Sequence, residues 1–222
     1  SGEIQIIRSR MVMGGAVEAT RLYISARPRY VPIVGEWLAR RSKTLSEPGF
    51  FGMEGYVAGR EAIEVERLDV PLSFEDQSPF NIAAIGGGRY VLSHPDLPEP
   101  LTGSVGELLS EKVPGGDIAL IVSRLDGKPG AQFVVSRASL LATTESLQRR
   151  VQLTEQGKQS NVISVALEDS DRGRLRRILD AIGAQYVRQN VERKSAEAEK
   201  TLEFLDKQLP VFKSQLESSE DV

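Results

Sequence analysis

Residues 171–216 constrain the fold more than any other stretch of the chain. Read as one helix, DRGRLRRILDAIGAQYVRQNVERKSAEAEKTLEFLDKQLPVFKSQL would be roughly 65 to 70 Å long at about 1.5 Å per residue. That is far more than a globular domain needs. Its apolar positions change character along the way. Leu175, Ile178, Leu179, Ile182, Tyr186 and Val187 make a broad stripe that belongs to a core. From 188 to 200 only Val191, Ala196 and Ala198 are apolar, and Gln189, Asn190, Arg193 and Glu197 share a face suited to an oligomer contact or a lumen. Beyond them Leu202, Leu205, Leu209, Phe212 and Leu216 recur at alternating spacings of three and four, a narrow seam that requires a second helix. Pro210 interrupts that seam. It removes a backbone hydrogen bond at a cost of about 3 kcal/mol, which predicts a kink or break between 206 and 210.

Upstream the pattern changes twice. Residues 3–22 carry a helical period with Ile4, Ile7, Met11 and Val12 inward, interrupted at Ser9 or bent at Gly14-Gly15, because each glycine costs a helix about 1 kcal/mol against alanine. Arg27-Pro28-Arg29 is a connector. Residues 30–41 give a short helix burying Val31, Val34, Trp37 and Leu38. From Ser42 to about Arg137 the helical period vanishes and short alternations recur at 63–66, 80–85, 89–92, 118–122 and 132–135. They are bounded by turn residues such as Gly86-Gly87-Gly88, Pro95-Asp96, Pro114-Gly115-Gly116 and Asp126-Gly127, the signature of antiparallel strands. Residues 139–150 return to helix on Leu140, Leu141, Leu147 and Val151. Residues 151–155 and 162–167 alternate as a hairpin around Gly157, and Asp169-Ser170-Asp171 supplies acceptors and negative charge where the long helix starts. The expected fold class is α+β. Residues 3–42 and 138–187 form a base domain of helices and a small sheet, 43–137 an inserted antiparallel β module, and 188–222 a long protruding C-terminal helix.

Composition narrows the function. With 40% hydrophobic and 27% charged residues the chain matches ordinary globular domains, and its net charge of -3 argues against a nucleic-acid partner. The absence of cysteine excludes disulfides and cysteine-metal sites. No apolar run reaches the roughly 20 residues that cross a bilayer. Ser1-Gly2 reads like a tag remnant before Glu3, so the chain is expected to be an excised soluble piece.

No catalytic, cofactor or metal site is expected. Gly86–Gly88 lacks the GxxxxGK[ST] pattern of a phosphate loop and leads into a strand, hence a hairpin turn. His94, the single histidine, sits beside Pro95 and reads as an exposed loop residue without partners for a metal site or triad. The carboxylate pairs Glu64/Glu66, Glu75/Asp76 and Asp169/Asp171 fall on a strand face, in a loop and at a helix cap rather than across a cleft. Arginine clusters at Arg8/Arg10, Arg27/Arg29, Arg40/Arg41, Arg172/Arg174/Arg176/Arg177 and Arg188/Arg193/Lys194 suit phosphates or carboxylates, or else serve as solvated faces and ion pairs.

The run QYVRQNVERKSAEAEKTLEFLDKQLP, with SNVISVALEDSD ahead of it, resembles the periplasmic segment of the Wzz/Wzc superfamily of polysaccharide co-polymerases. EIQIIRSRMVMGGAVEATRLYISARPRYVPIVGEWLARR, FNIAAIGGGRYVL and VQLTEQGKQSNVISV are similar to the same family in the same order. The resemblance implies a periplasmic location at the bacterial inner membrane, between two spans outside these boundaries. It implies a homo-oligomer that regulates exopolysaccharide chain length and export, contacts polysaccharide and the polymerase or export machinery, and in Wzc-like members precedes a cytoplasmic tyrosine kinase. Nothing here matches that kinase's motifs, so this stretch is expected to be non-catalytic. The oligomer contacts fall to Gln189, Asn190, Arg193, Glu197, Leu202, Leu205, Leu209 and Phe212. An alternative makes the β insertion a carbohydrate-binding module, stacking sugars on aromatics drawn from Phe50, Phe51, Tyr56, Phe74, Phe80, Tyr90 and Phe133, with Tyr56 and Tyr90 as the named candidates.

Overall fold

Alternating burial along short strands and a 3.6-residue period along the helices give the α+β fold that the sequence suggests. The computed structural model describes residues 2–49, 52–157 and 162–220, so Phe50 and Phe51 lie outside the described residues. In chain order these form α1 (Gly2–Arg8), α2 (Arg10–Thr20), β1 (Ile24–Pro28), α3 (Gly35–Arg41), β2 (Ala62–Asp69), β3 (Phe80–Gly86), β4 (Arg89–Ser93), β5 (Leu101–Ser104), β6 (Leu108–Val113), β7 (Gly116–Asp126), β8 (Gln132–Arg137), α4 (Leu140–Arg150), β9 (Gln152–Glu155), β10 (Ile163–Ala166) and α5 (Arg172–Glu220). Two compact units result, one of residues up to 20 with those from 144 onward, the other of residues 21–143.

The 21–143 unit is built from two antiparallel sheets, ordered β1-β8-β3-β4-β5 and β2-β7-β6. Every second residue of β3 turns inward, placing Phe80, Ile82 and Ala84 in the core, with Ile82 opposite Leu92 on one side and Phe133 on the other. Leu68, Ile118, Leu120 and Val122 of the second sheet complete the same buried cluster. Gly86, Gly87 and Gly88 all adopt positive φ and close the β3–β4 hairpin, as their spacing predicts. β1 was not legible in the sequence. Ile24 to Pro28 pair with β8, so residues 21–42 assemble with the sheets and not with the helices. A five-residue edge strand has too few positions to show a period, and Pro28 is tolerated at an edge where no partner needs its amide. α3 is accordingly shorter than the 30–41 expected; Val31 is buried, but Val34 and Trp37 are exposed.

His94 is corrected from an exposed loop residue to a core one. Its imidazole lies 5.1 Å from the Phe74 ring and 4.7 Å from the Phe80 ring, centroid to centroid. The Asp96 amide donates to Nδ1 at 3.1 Å, which places the ring proton on Nε2, 2.9 Å from the Ser78 carbonyl. Glu61 is likewise buried, and its carboxylate accepts hydrogen bonds from the Ser46 amide and hydroxyl and the Gly59 amide, pinning the loop that leads to β2.

In the other unit α1 and α2 break at Ser9, whose hydroxyl accepts the Val12 amide. α2 runs through Gly14 and Gly15 without a break. α2 packs on α5, and a Cβ at Gly15 would lie 2.6 Å from the Gln185 amide oxygen, so the small residues serve close approach. Val12, Met13, Ala16 and Val17 are buried, whereas Met11, expected inward, is exposed. α4 buries Leu147 but exposes Leu140 and Leu141, contrary to expectation. β9 and β10 pair antiparallel as the predicted hairpin, with Gln152 opposite Ala166 and Glu155 opposite Ile163. α5 is continuous through Pro210, so the expected break is absent. A proline ring inside a helix clashes chiefly with one preceding turn, which a solvent-facing helix absorbs without ending.

Candidate assembly surface on the long helix

α5 begins with the cap its sequence announces. Asp171 Oδ1 accepts the Gly173 and Arg174 amides at 2.8 and 3.0 Å, satisfying two otherwise unpaired donors of the first turn. Just before it, the Asp169 carboxylate is only 2% exposed and meets the Arg174 guanidinium at 2.7 and 2.9 Å, with Arg150 at 3.6 Å. The bond from Arg174, with help from the Asp171 amide, holds the Asp169 carboxyl below the usual carboxylate range against the opposing effect of its burial. This pair fixes where the helix leaves the hairpin.

The first turns dock through Ile178 and Ile182, both buried, with Leu175, Leu179 and Tyr186 half-buried beside them. The Tyr186 hydroxyl donates to Glu3 of α1 at 2.5 Å, a bond that raises the phenol above its ordinary pKa. Arg193 lies 3.6 Å from the same Glu3, 3.0 Å from the Asn190 side-chain oxygen and 3.7 Å from Glu197. Of the four polar residues set on one face by the sequence, Gln189 and Asn190 are half-buried. Arg193 is engaged by its own unit, and Glu197 is exposed. That face continues the docked one.

Val187, expected in the core stripe, is instead 59% exposed, and so is Val191. At about 100° per residue both fall roughly 140° round the helix from the docked face, in line with Ala198, Leu202, Leu205, Leu209 and Phe212. The steps along 187, 191, 194, 198, 202, 205, 209 and 212 are threes and fours throughout, and Lys194 is the one charged position in them. The large apolar members are between 47% and 62% exposed. The ridge from Val187 to Phe212 is therefore about 38 Å long at 1.5 Å per residue. It begins about four turns earlier than the leucine spacing alone suggested. The signal that could have found it was the continuing heptad step, masked because Val187 also neighbours the docked Tyr186.

In the sheet unit Tyr90 is corrected as a sugar contact: it is fully buried, its ring lies against Gly103, and its hydroxyl has no hydrogen-bond partner among the described residues. Burial pushes its phenol up to about 12. Tyr56 is half-exposed with the Arg29 guanidinium 4.3 Å above its ring, and Phe74, Phe80 and Phe133 are core residues.

The sheet unit is also where a family model matches. Residues 24–138 match the description "Tyrosine-protein kinase Wzc, N-terminal domain". The chain belongs to the Wzc N-terminal domain family. Full-length similarity extends over both units. EpsB of Ralstonia nicotianae, which carries a provisional tyrosine-protein kinase name, is 47% identical over 99% of this chain and 29% of its own length. A Klebsiella pneumoniae protein, provisionally named a tyrosine-protein kinase in the cps region, is 33% identical over 99% of this chain and 28% of its own. The tyrosine-protein kinase wzc of Salmonella typhimurium is 32% identical over 99% of this chain and 28% of its own. The chain thus spans less than a third of the length of these Wzc-type relatives. No helix among its described residues is long and apolar enough to cross a membrane.

Proposed function

We propose that this chain is a non-catalytic periplasmic part of an inner-membrane polysaccharide co-polymerase of the Wzc type, and that it works by assembling with copies of itself along the α5 ridge. The relatives are named tyrosine-protein kinases, and the chain matches under a third of each, which leaves the kinase chemistry to the remainder of those proteins. The ring so formed would govern exopolysaccharide chain length and export. One observation carries the reading: a ridge about 38 Å long, with the spacing of a helix-pairing seam, faces away from the residues that dock its own helix. Arg193, paired with Glu3, holds the root of that helix, while Leu202, Leu205, Leu209 and Phe212 meet the neighbour.

The chain contains no cysteine, so a thiol placed on the ridge reports contact without competition from this region. Leu205→Cys or Leu209→Cys in the full-length membrane protein should give oxidatively cross-linked dimers, one disulfide joining two subunits, while Lys200→Cys, on the other side of the helix, should not. Equal cross-linking at all three positions, or none, would remove the support for a ridge-mediated ring.

A further inference from the structure

A second exposed apolar feature lies in the sheet unit, where α3 is reached through an unusual turn. Ile33 has φ 70°, and the Val34 amide bonds the Pro32 carbonyl at 2.8 Å, a three-residue turn of the strained, positive-φ kind. A β-branched residue in that conformation is rare and costs stability, so something other than local preference keeps it there. The turn is firmly anchored. Val31 is buried and its amide bonds the Val57 carbonyl, the Val57 amide bonds the Arg29 carbonyl, and Gly35 seats on Tyr30. Held between those anchors, Ile33 is 101% exposed, beside exposed Val34 and Trp37.

Cations follow the tip at the end of α3. Arg41 stacks on the Trp37 ring at 4.2 Å, Arg40 shares the last turn of α3, and Lys43 follows. Between residues 29 and 46 Glu36 is the one acidic residue against four basic ones. An exposed aliphatic tip, a tryptophan and flanking arginines are the chemistry that seats at the boundary between lipid headgroups and acyl chains. Three apolar side chains are too few for a stable protein interface, which needs about 1,000 Å² in all.

We propose that the Ile33–Trp37 tip docks the sheet unit on an anionic lipid surface, with Ile33 and Trp37 entering the headgroup boundary and Arg40, Arg41 and Lys43 meeting lipid phosphates. A single tip adheres weakly and reversibly. The docking does not depend on the α5 ridge: Leu205→Ala with Leu209→Ala should leave lipid binding unchanged, so the two readings fail separately.

Trp37 is the only tryptophan and reports its own surroundings. With vesicles rich in phosphatidylglycerol its emission should shift to the blue and the protein should co-sediment; added salt should weaken both, and pure phosphatidylcholine should give neither. Arg40→Gln with Arg41→Gln should weaken partition about 25-fold, about fivefold per charge removed. Ile33→Gly supplies the control for folding. It relieves the positive φ and should raise the unfolding midpoint while lowering partition about tenfold, a combination that a merely structural isoleucine would not produce. Absence of partition into anionic vesicles, or partition unaffected by these variants, would overturn the proposal. So would a blue shift that follows protein concentration without lipid, which would assign the tip to a second copy of the chain.

Discussion

Truncating two ridge leucines provides a quantitative test of assembly, because their effects on the single chain and on association have opposite signs. Full burial of a leucine is worth about 1.5 to 3 kcal/mol. Leu205 is 47% and Leu209 61% exposed, so roughly half of each side chain remains to be covered by a partner, about 1 kcal/mol apiece. Between two copies of the helix both substitutions count twice, and Leu205→Ala with Leu209→Ala should weaken association by about 3 to 4 kcal/mol, a 100- to 1,000-fold rise in dissociation constant. Alanine is a slightly better helix former than leucine, so the helical far-ultraviolet signal of the isolated chain should hold or rise. Sedimentation velocity across a concentration series, on the chain and on the full-length protein in detergent, measures the association; circular dichroism measures the helix. Dissociation constants within about twofold of the parent would refute the ridge as the contact. A loss of helix alongside the loss of association would show that the leucines act within the subunit.

Two further outcomes test the interiors of the units. Tyr90→Phe removes a buried hydroxyl that lacks a partner among the described residues and should leave the sheet unit equally stable or more stable by about 1 kcal/mol, read as a shift in urea midpoint at constant slope; a clear loss of stability would mean the hydroxyl is satisfied in solution. Asp169→Asn should destabilise the helical unit by about 1 to 3 kcal/mol at neutral pH, because it breaks charged hydrogen bonds to Arg174 at a 2% exposed site. Since Arg174 lowers the folded pKa of Asp169, this stabilisation is fully present above the ordinary value of 3.8 and fades as pH falls through the lowered one. Parent and variant should therefore converge only in strong acid, and a gap that widens there would contradict the assignment.

The sequence alone determined whatever depends on neighbours in the chain. The stripe on Ile178 and Ile182, the Asp171 cap, the β9–β10 hairpin and the Gly86–Gly88 turn are each written within a few residues, where one period or one side-chain acceptor decides the outcome. The outward leucines were legible for the same reason. Tertiary structure alone decided what depends on residues far apart. β1 exists because β8, more than a hundred positions later, supplies its hydrogen bonds, and that pairing draws residues 21–42 into the sheet unit. His94 is buried because Phe74 and Phe80 close over it, which no loop composition foretells. Val187 faces outward because the angle at which Ile178, Ile182 and Tyr186 dock fixes the rotation of α5, and an amphipathic pattern by itself leaves that rotation free to swing by a residue.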